Sequence, residues 1–166
     1  MQKLIKDRCV VNDYWVLVKE ASNAGILNAL PGRSLMVPLD FWQLFREELD
    51  DFSGQVTVWL NSDQNVNEIS KELDNFPLIA LNFPVFSDGR SYTNARELRE
   101  SLNYDGEIRA IGDVLRDQLY YMSRCGFNAF SMRSDQDLEE SLTAFDDFHT
   151  GYQGGIDQPI PLFRRR

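Results

Sequence analysis

Residues 78–112 read "LIALNFPVFSDGRSYTNARELRESLNYDGEIRAIG" and hold the pattern that decides the fold. "LIALNF" is nearly unbroken apolar, as strands covered on both sides tend to be. A polar loop with Asp and Gly follows, then "RSYTNARELRESL" at helical spacing, then a second apolar run, "EIRAIG". That is one strand–helix–strand unit of a parallel sheet.

The same unit recurs on both sides. Upstream, "LMVPL" from Leu35 leads into "DFWQLFREELDDF", and "VTVWL" from Val56 leads into "NVNEISKELDNF". Downstream, "DVLRDQLYYMSRCG", "NAFSMR" and "DLEESLTAFDDF" complete the series. Five strands alternate with five helices at roughly 25 residues per unit, which predicts an α/β fold with a mostly parallel sheet of about five βα units. Two β-favouring runs around Asn12 and Asp13 predict an N-terminal hairpin. Five units are too few for an eight-stranded barrel of about 250 residues, so an open wound sheet is expected, with a partial (β/α) barrel as the alternative. Residues 1–150 are expected to form a single α/β domain, and the Gly- and Pro-rich residues 151–166 a loose tail.

Composition limits the function classes. The chain has 166 residues, 43% hydrophobic and 26% charged, with a formal net charge of −9. A protein this acidic lacks the basic footprint of sequence-independent nucleic-acid binding. Cys9 and Cys125 form neither a disulfide framework nor a zinc spacing, and no metal site is expected. The first residues have no apolar signal region, and no run reaches the length of a membrane span, so a cytoplasmic protein is expected.

Every strand ends near an aspartate: Asp40, Asp63, Asp88, Asp113 and Asp135. One mechanism covers all five, since each can accept from the free amides that open the next helix. The same edge is where parallel α/β proteins bind ligands. In the loop "DGRSY", Asp88, Gly89, Arg90, Ser91 and Tyr92 are candidate ligand residues: Gly89 for a close backbone approach, Arg90 and Ser91 for an anion, Tyr92 for a flat ring. Gly112, Asp113 and Arg133 sit in the neighbouring loops as further candidates. Arg109 is the odd residue of its strand, on the face of Ile111 and opposite Ile108 and Ala110. That residue marks an edge strand, a structural ion pair with Asp88, Asp113 or Glu107, or an open or barrel-like face that binds an anion or a partner. Cys125 lies on an apolar helical stripe and reads as packing, and Gly126 is placed to end that helix. The single histidine, His149, stands beside the tail and is not read as an acid–base catalyst. No catalytic residue is assigned.

Three blocks, "FSDGRSYTNARELRE", "GEIRAIGDVLRDQL" and "RCGFNAF", resemble the signature blocks of a bacterial family of unknown function. Its members are often labelled oxidoreductases linked to sulfite reduction, and their genes commonly lie beside that of the assimilatory sulfite reductase haemoprotein. The similarity runs from "IKD" near the N-terminus to about Tyr152, with Asn128 and Thr93 at positions where Asp and Ser are usual. The resemblance implies an accessory or interaction protein of assimilatory sulfite reduction, with the sulfite reductase haemoprotein as partner. A small-anion- or nucleotide-binding enzyme at the strand ends is the alternative. No cofactor is expected from the residues; a flavin or NAD(P) rests on the family label alone.

Overall fold

The structure is a computed structural model that describes residues 2–20, 23–148 and 151–165. The chain opens with a hairpin of β1 (Lys3–Lys6) and β2 (Cys9–Asn12), followed by β3 (Trp15–Leu17), α1 (Gly25–Ala29) and β4 (Ser34–Pro38). Next come α2 (Leu39–Leu44), α3 (Arg46–Asp50), β5 (Val56–Leu60), two 3-10 turns, and β6 (Leu78–Phe83). The chain then forms α4 (Arg90–Glu100), β7 (Glu107–Gly112), α5 (Leu119–Cys125), β8 (Ala129–Phe130) and α6 (Leu138–Ser141).

All eight strands join one sheet in the order β2-β1-β8-β7-β6-β5-β4-β3. From β3 to β8 the pairing is parallel and follows chain order, while β1 joins β8 and β2 antiparallel. The sheet curls into a half-barrel. This corrects the expected open sheet of five units, and the partial-barrel alternative is the one that fits. The physical reason is the order itself. Right-handed crossovers between strands laid down in one direction place their helices on one side, so the sheet never reverses and has no switch-point crevice.

Strand alternation then divides the side chains. Val58, Leu60, Ile79, Leu81, Ile108 and Ala110 face the helices, where they meet Ala95 and Leu98 of α4 and Leu119 and Met122 of α5. The opposite, concave face holds a smaller buried group, Met36, Leu78, Ala80 and Ile111, with Trp15, Leu17 and Trp59 only partly covered.

Local corrections follow from backbone chemistry. The hairpin turns at Asp7 and Arg8, with φ of 48° and 61°, whereas Asn12 and Asp13 lead out of β2 toward β3. A two-residue turn of this kind needs positive φ at both central positions, which Arg gives no reason to expect. "DFWQLFREELDDF" breaks at Phe45 into α2 and α3, which leaves Leu44 on the surface. "NVNEISKELDNF" forms 3-10 turns at Val66–Ile69 and Leu73–Asn75. Gly126 ends α5 at φ 111°, where an added Cβ would press on the Arg99 side chain. The segment expected as a loose tail is tied to α5. The Ile156 amide donates to the Arg124 carbonyl at 2.9 Å, and the Arg124 guanidinium donates to the Gln153 carbonyl.

Candidate functional site

The uncovered concave face forms a cleft of about 1230 Å³. Its floor is built by strand parity: Trp15 and Leu17 from β3, Met36 from β4, Trp59 from β5, Asn82 from β6 and Ile111 from β7. The Trp59 indole N–H donates to the Val18 carbonyl at 2.9 Å, which fixes the ring against the outermost strand. Asn82 Nδ2 donates to Asn61 Oδ1 at 3.0 Å.

One end of this face is closed by charge. Arg109 is 2% exposed. Its Nε donates to Glu107 at 2.7 Å, and its Nη1 donates to both oxygens of Asp13 at 3.0 and 3.1 Å. Lys6 Nζ lies 2.7 Å from the other Glu107 oxygen, and Asp13 also accepts from the Trp15 amide at 3.1 Å. Two carboxylates thus meet two cations, the balance that a buried charge requires. β7 is an interior strand, not an edge strand, so Arg109 is held as a structural ion pair. Of the partners expected for it, Glu107 takes part; Asp13, 96 residues away in sequence, is the one that sequence reading missed.

The rim at the strand ends brings together Gly112, Asp113 and Arg133, all of which line the cleft. Gly112 has φ 94°, and a Cβ there would run into the Phe83 carbonyl and the Asn82 side chain. Only glycine suits that position. Asp113 accepts from the Phe86 amide at 3.0 Å and from Arg133 Nη1 at 2.8 Å. Arg133 also donates through Nε and Nη2 to the two oxygens of Asp135, both at 2.7 Å. This bidentate pairing lowers the Asp135 carboxyl to about 2 and raises the Arg133 guanidinium above its ordinary value.

The "DGRSY" loop does not line the cleft. Asp88 accepts from the Arg90 amide at 3.2 Å and from its guanidinium at 3.0 and 2.7 Å, and Ser62 Oγ donates to it at 2.6 Å. Hydrogen bonds from Arg90 and Ser62 hold the Asp88 carboxyl well below the usual carboxylate range. Gly89 has φ −93°, and a Cβ there would meet the Tyr92 ring at an ordinary 3.6 Å, so no close approach depends on it. Ser91 is buried, its hydroxyl donating to the Asn82 carbonyl at 2.6 Å. Tyr92 packs edge-on against Phe83 and Tyr121 at 5.0 Å, and burial pushes its hydroxyl up to about 12. The loop is a closed helix start.

Among the five aspartates, Asp88 alone accepts from an amide of the helix that follows it. Asn65 and Asp137 do the capping elsewhere, and Asp40 accepts from Gln64 Nε2 at 2.7 Å. Cys125 is buried outside the cleft, and burial raises its thiol. His149 lies outside the described residues. Among the described residues, no three His, Cys, Asp or Glu side chains group as metal ligands would.

Residues 57–163, more than half of the chain, match the model of a family described as "Bacterial protein of unknown function (DUF934)". The chain belongs to this family. No curated protein and no solved structure matches the chain. The matched residues begin in β5 and supply Trp59, Asn82, Ile111 and Arg133 to the cleft. The strands that precede them supply Asp13, Trp15, Leu17 and Met36. Sequence reading missed the second group because nothing local ties a short run such as "WVL" to β4. Trp59 was within reach, since alternation in "VTVWL" sets it opposite Val58. Among the described residues, no helix is long and apolar enough to cross a membrane.

Proposed function

We propose that this protein is an accessory protein of assimilatory sulfite reduction in the cytoplasm, which docks a partner in its concave cleft. The observation that carries the reading is the sheet face that, among the described residues, no helix covers, floored by Trp15, Leu17 and Trp59. Partly buried aromatic side chains grouped in a concavity are the material of interface anchors. The link to sulfite reduction rests on the similarity of the "FSDGRSYTNARELRE" and "GEIRAIGDVLRDQL" blocks to a family encoded beside the sulfite reductase haemoprotein.

A small-anion- or nucleotide-binding enzyme is the second reading, favoured by the position of Arg133 on the cleft rim. Its cost is clear in the geometry. Arg133 is held between Asp113 and Asp135, and Arg90 by Asp88, so an anion at either meets a cation already neutralised by carboxylate and gains its full charge only if those pairs rearrange. The docking reading needs no such rearrangement.

The test is a tagged pull-down from cells grown for sulfate assimilation, at low and at high salt. Recovery of the sulfite reductase haemoprotein, weakened by salt as charged interfaces are, is the expected result. Its absence at both salt concentrations overturns the link to sulfite reduction.

A further inference from the structure

The charges around the cleft do not follow the charge of the whole protein, which is −9. Asp13 is neutralised by Arg109, and Asp113 by Arg133, which is itself shared with Asp135. The β7–β8 end therefore carries one carboxylate in excess. At the other end, Lys19 follows β3 and Arg33 precedes β4; both are exposed, both line the cleft, and neither makes an ion pair among the described residues. The free charges that line the cleft on the β3–β4 side are cations; the exposed Glu20 beside Lys19 does not line it. The mouth also gathers exposed apolar side chains. Tyr14, before β3, lines it at 67% exposure, and Pro84, after β6, lines it at the opposite strand ends, followed in sequence by the exposed Val85 and Phe86, at 55% and 53%.

We infer that the cleft takes an acidic segment of a partner protein that also carries large apolar side chains. The apolar groups lie against Trp15, Leu17 and Trp59, and the carboxylates meet Lys19 and Arg33. This rests on the docking reading and names the chemistry of its partner. Three other occupants fit less well. A volume of about 1230 Å³ exceeds the roughly 300–1,000 Å³ of small-molecule sites. The chain's own apolar tail carries Arg164 and Arg165, which Lys19 and Arg33 repel. Nucleic acid is disfavoured by the acidic body.

The test uses the isolated full chain labelled at its three tryptophan indoles, observed by NMR. Trp42 packs on Phe76 at the helix-covered face and serves as an internal control. One synthetic peptide alternates glutamate with leucine around a central phenylalanine; its counterpart has lysine for glutamate; ATP is the small flat anion. The glutamate peptide is expected to shift the Trp15 and Trp59 signals and leave Trp42 in place. The double variant Lys19→Glu, Arg33→Glu is expected to weaken that peptide about tenfold and to favour the lysine peptide. Equal binding of both peptides by the native chain overturns the inference, as does binding of neither. Shifts produced by ATP alone also overturn it and give the cleft to a small anion. Failure of the pull-down with the peptide result intact removes the sulfite link and leaves the recognition chemistry standing.

Discussion

The two faces of one sheet are built to different rules. On the helix side, Val58, Leu60, Ile79, Leu81 and Ile108 are fully buried and packed under α4 and α5. On the concave side, alternate residues of the same strands include Thr57, Trp59, Asn82, Glu107 and Arg109. Six parallel strands in chain order send their helices to one side only, and eight would be needed to close a barrel over the other. The half-barrel therefore keeps a face that must be satisfied without helices. It does so with ion pairs at one end and half-covered aromatics at the other. The lesson is that connection order decides which alternate residues form a core and which form a surface.

The largest expected effect breaks the ionic end. Arg109→Met leaves Asp13 and Glu107 buried without the guanidinium, and a loss of about 3–5 kcal/mol in urea unfolding is expected. A loss below about 1 kcal/mol would mean that the network does not hold the concave face. Next, the two faces can be compared through one residue type. Leu81→Ala, on the helix side, is expected to cost about 2–5 kcal/mol, whereas Leu17→Ala, facing the cleft, is expected to cost about 1 kcal/mol. Equal losses would show that the concave face is packed as tightly as the other.

The smallest effect lies on the exposed rim. Arg133 lowers the Asp135 carboxyl from its ordinary 3.8 to about 2 in the folded chain. Its contribution to stability is fully present above the ordinary value and is lost as pH falls from about 3.8 through about 2. A carboxyl-carbon NMR titration should place Asp135 near 2 and move it up toward 3.8 in Arg133→Ala. An unchanged midpoint in the variant would rule out Arg133 as the cause.

Much of the fold was readable because each predicted strand is a short apolar run followed by a loop and a helix or 3-10 turns. The five runs from Leu35 to Phe130 all form parallel strands. Alternation also set Arg109 on the face of Ile111, where it lies. What the sequence hid is non-local. Nothing in "WVL" announces a sixth parallel strand, and nothing near Arg109 points to Asp13. The strand-end aspartates misled for a related reason. A carboxylate near a helix start can cap it, but Asp113 and Asp40 found partners in neighbouring loops that only the folded sheet brings close.

On the proposal made above, the open face, not the helix-covered side, engages the partner. The most direct measurement captures the sulfite reductase haemoprotein with three tagged chains at low salt. One is native, one carries Lys19→Glu and Arg33→Glu at the cleft, and one carries Glu47→Lys and Glu48→Lys on the exposed surface of α3. The cleft variant is expected to lose the haemoprotein while the α3 variant retains it. Retention by the cleft variant together with loss by the α3 variant would contradict the account and place docking on the helices.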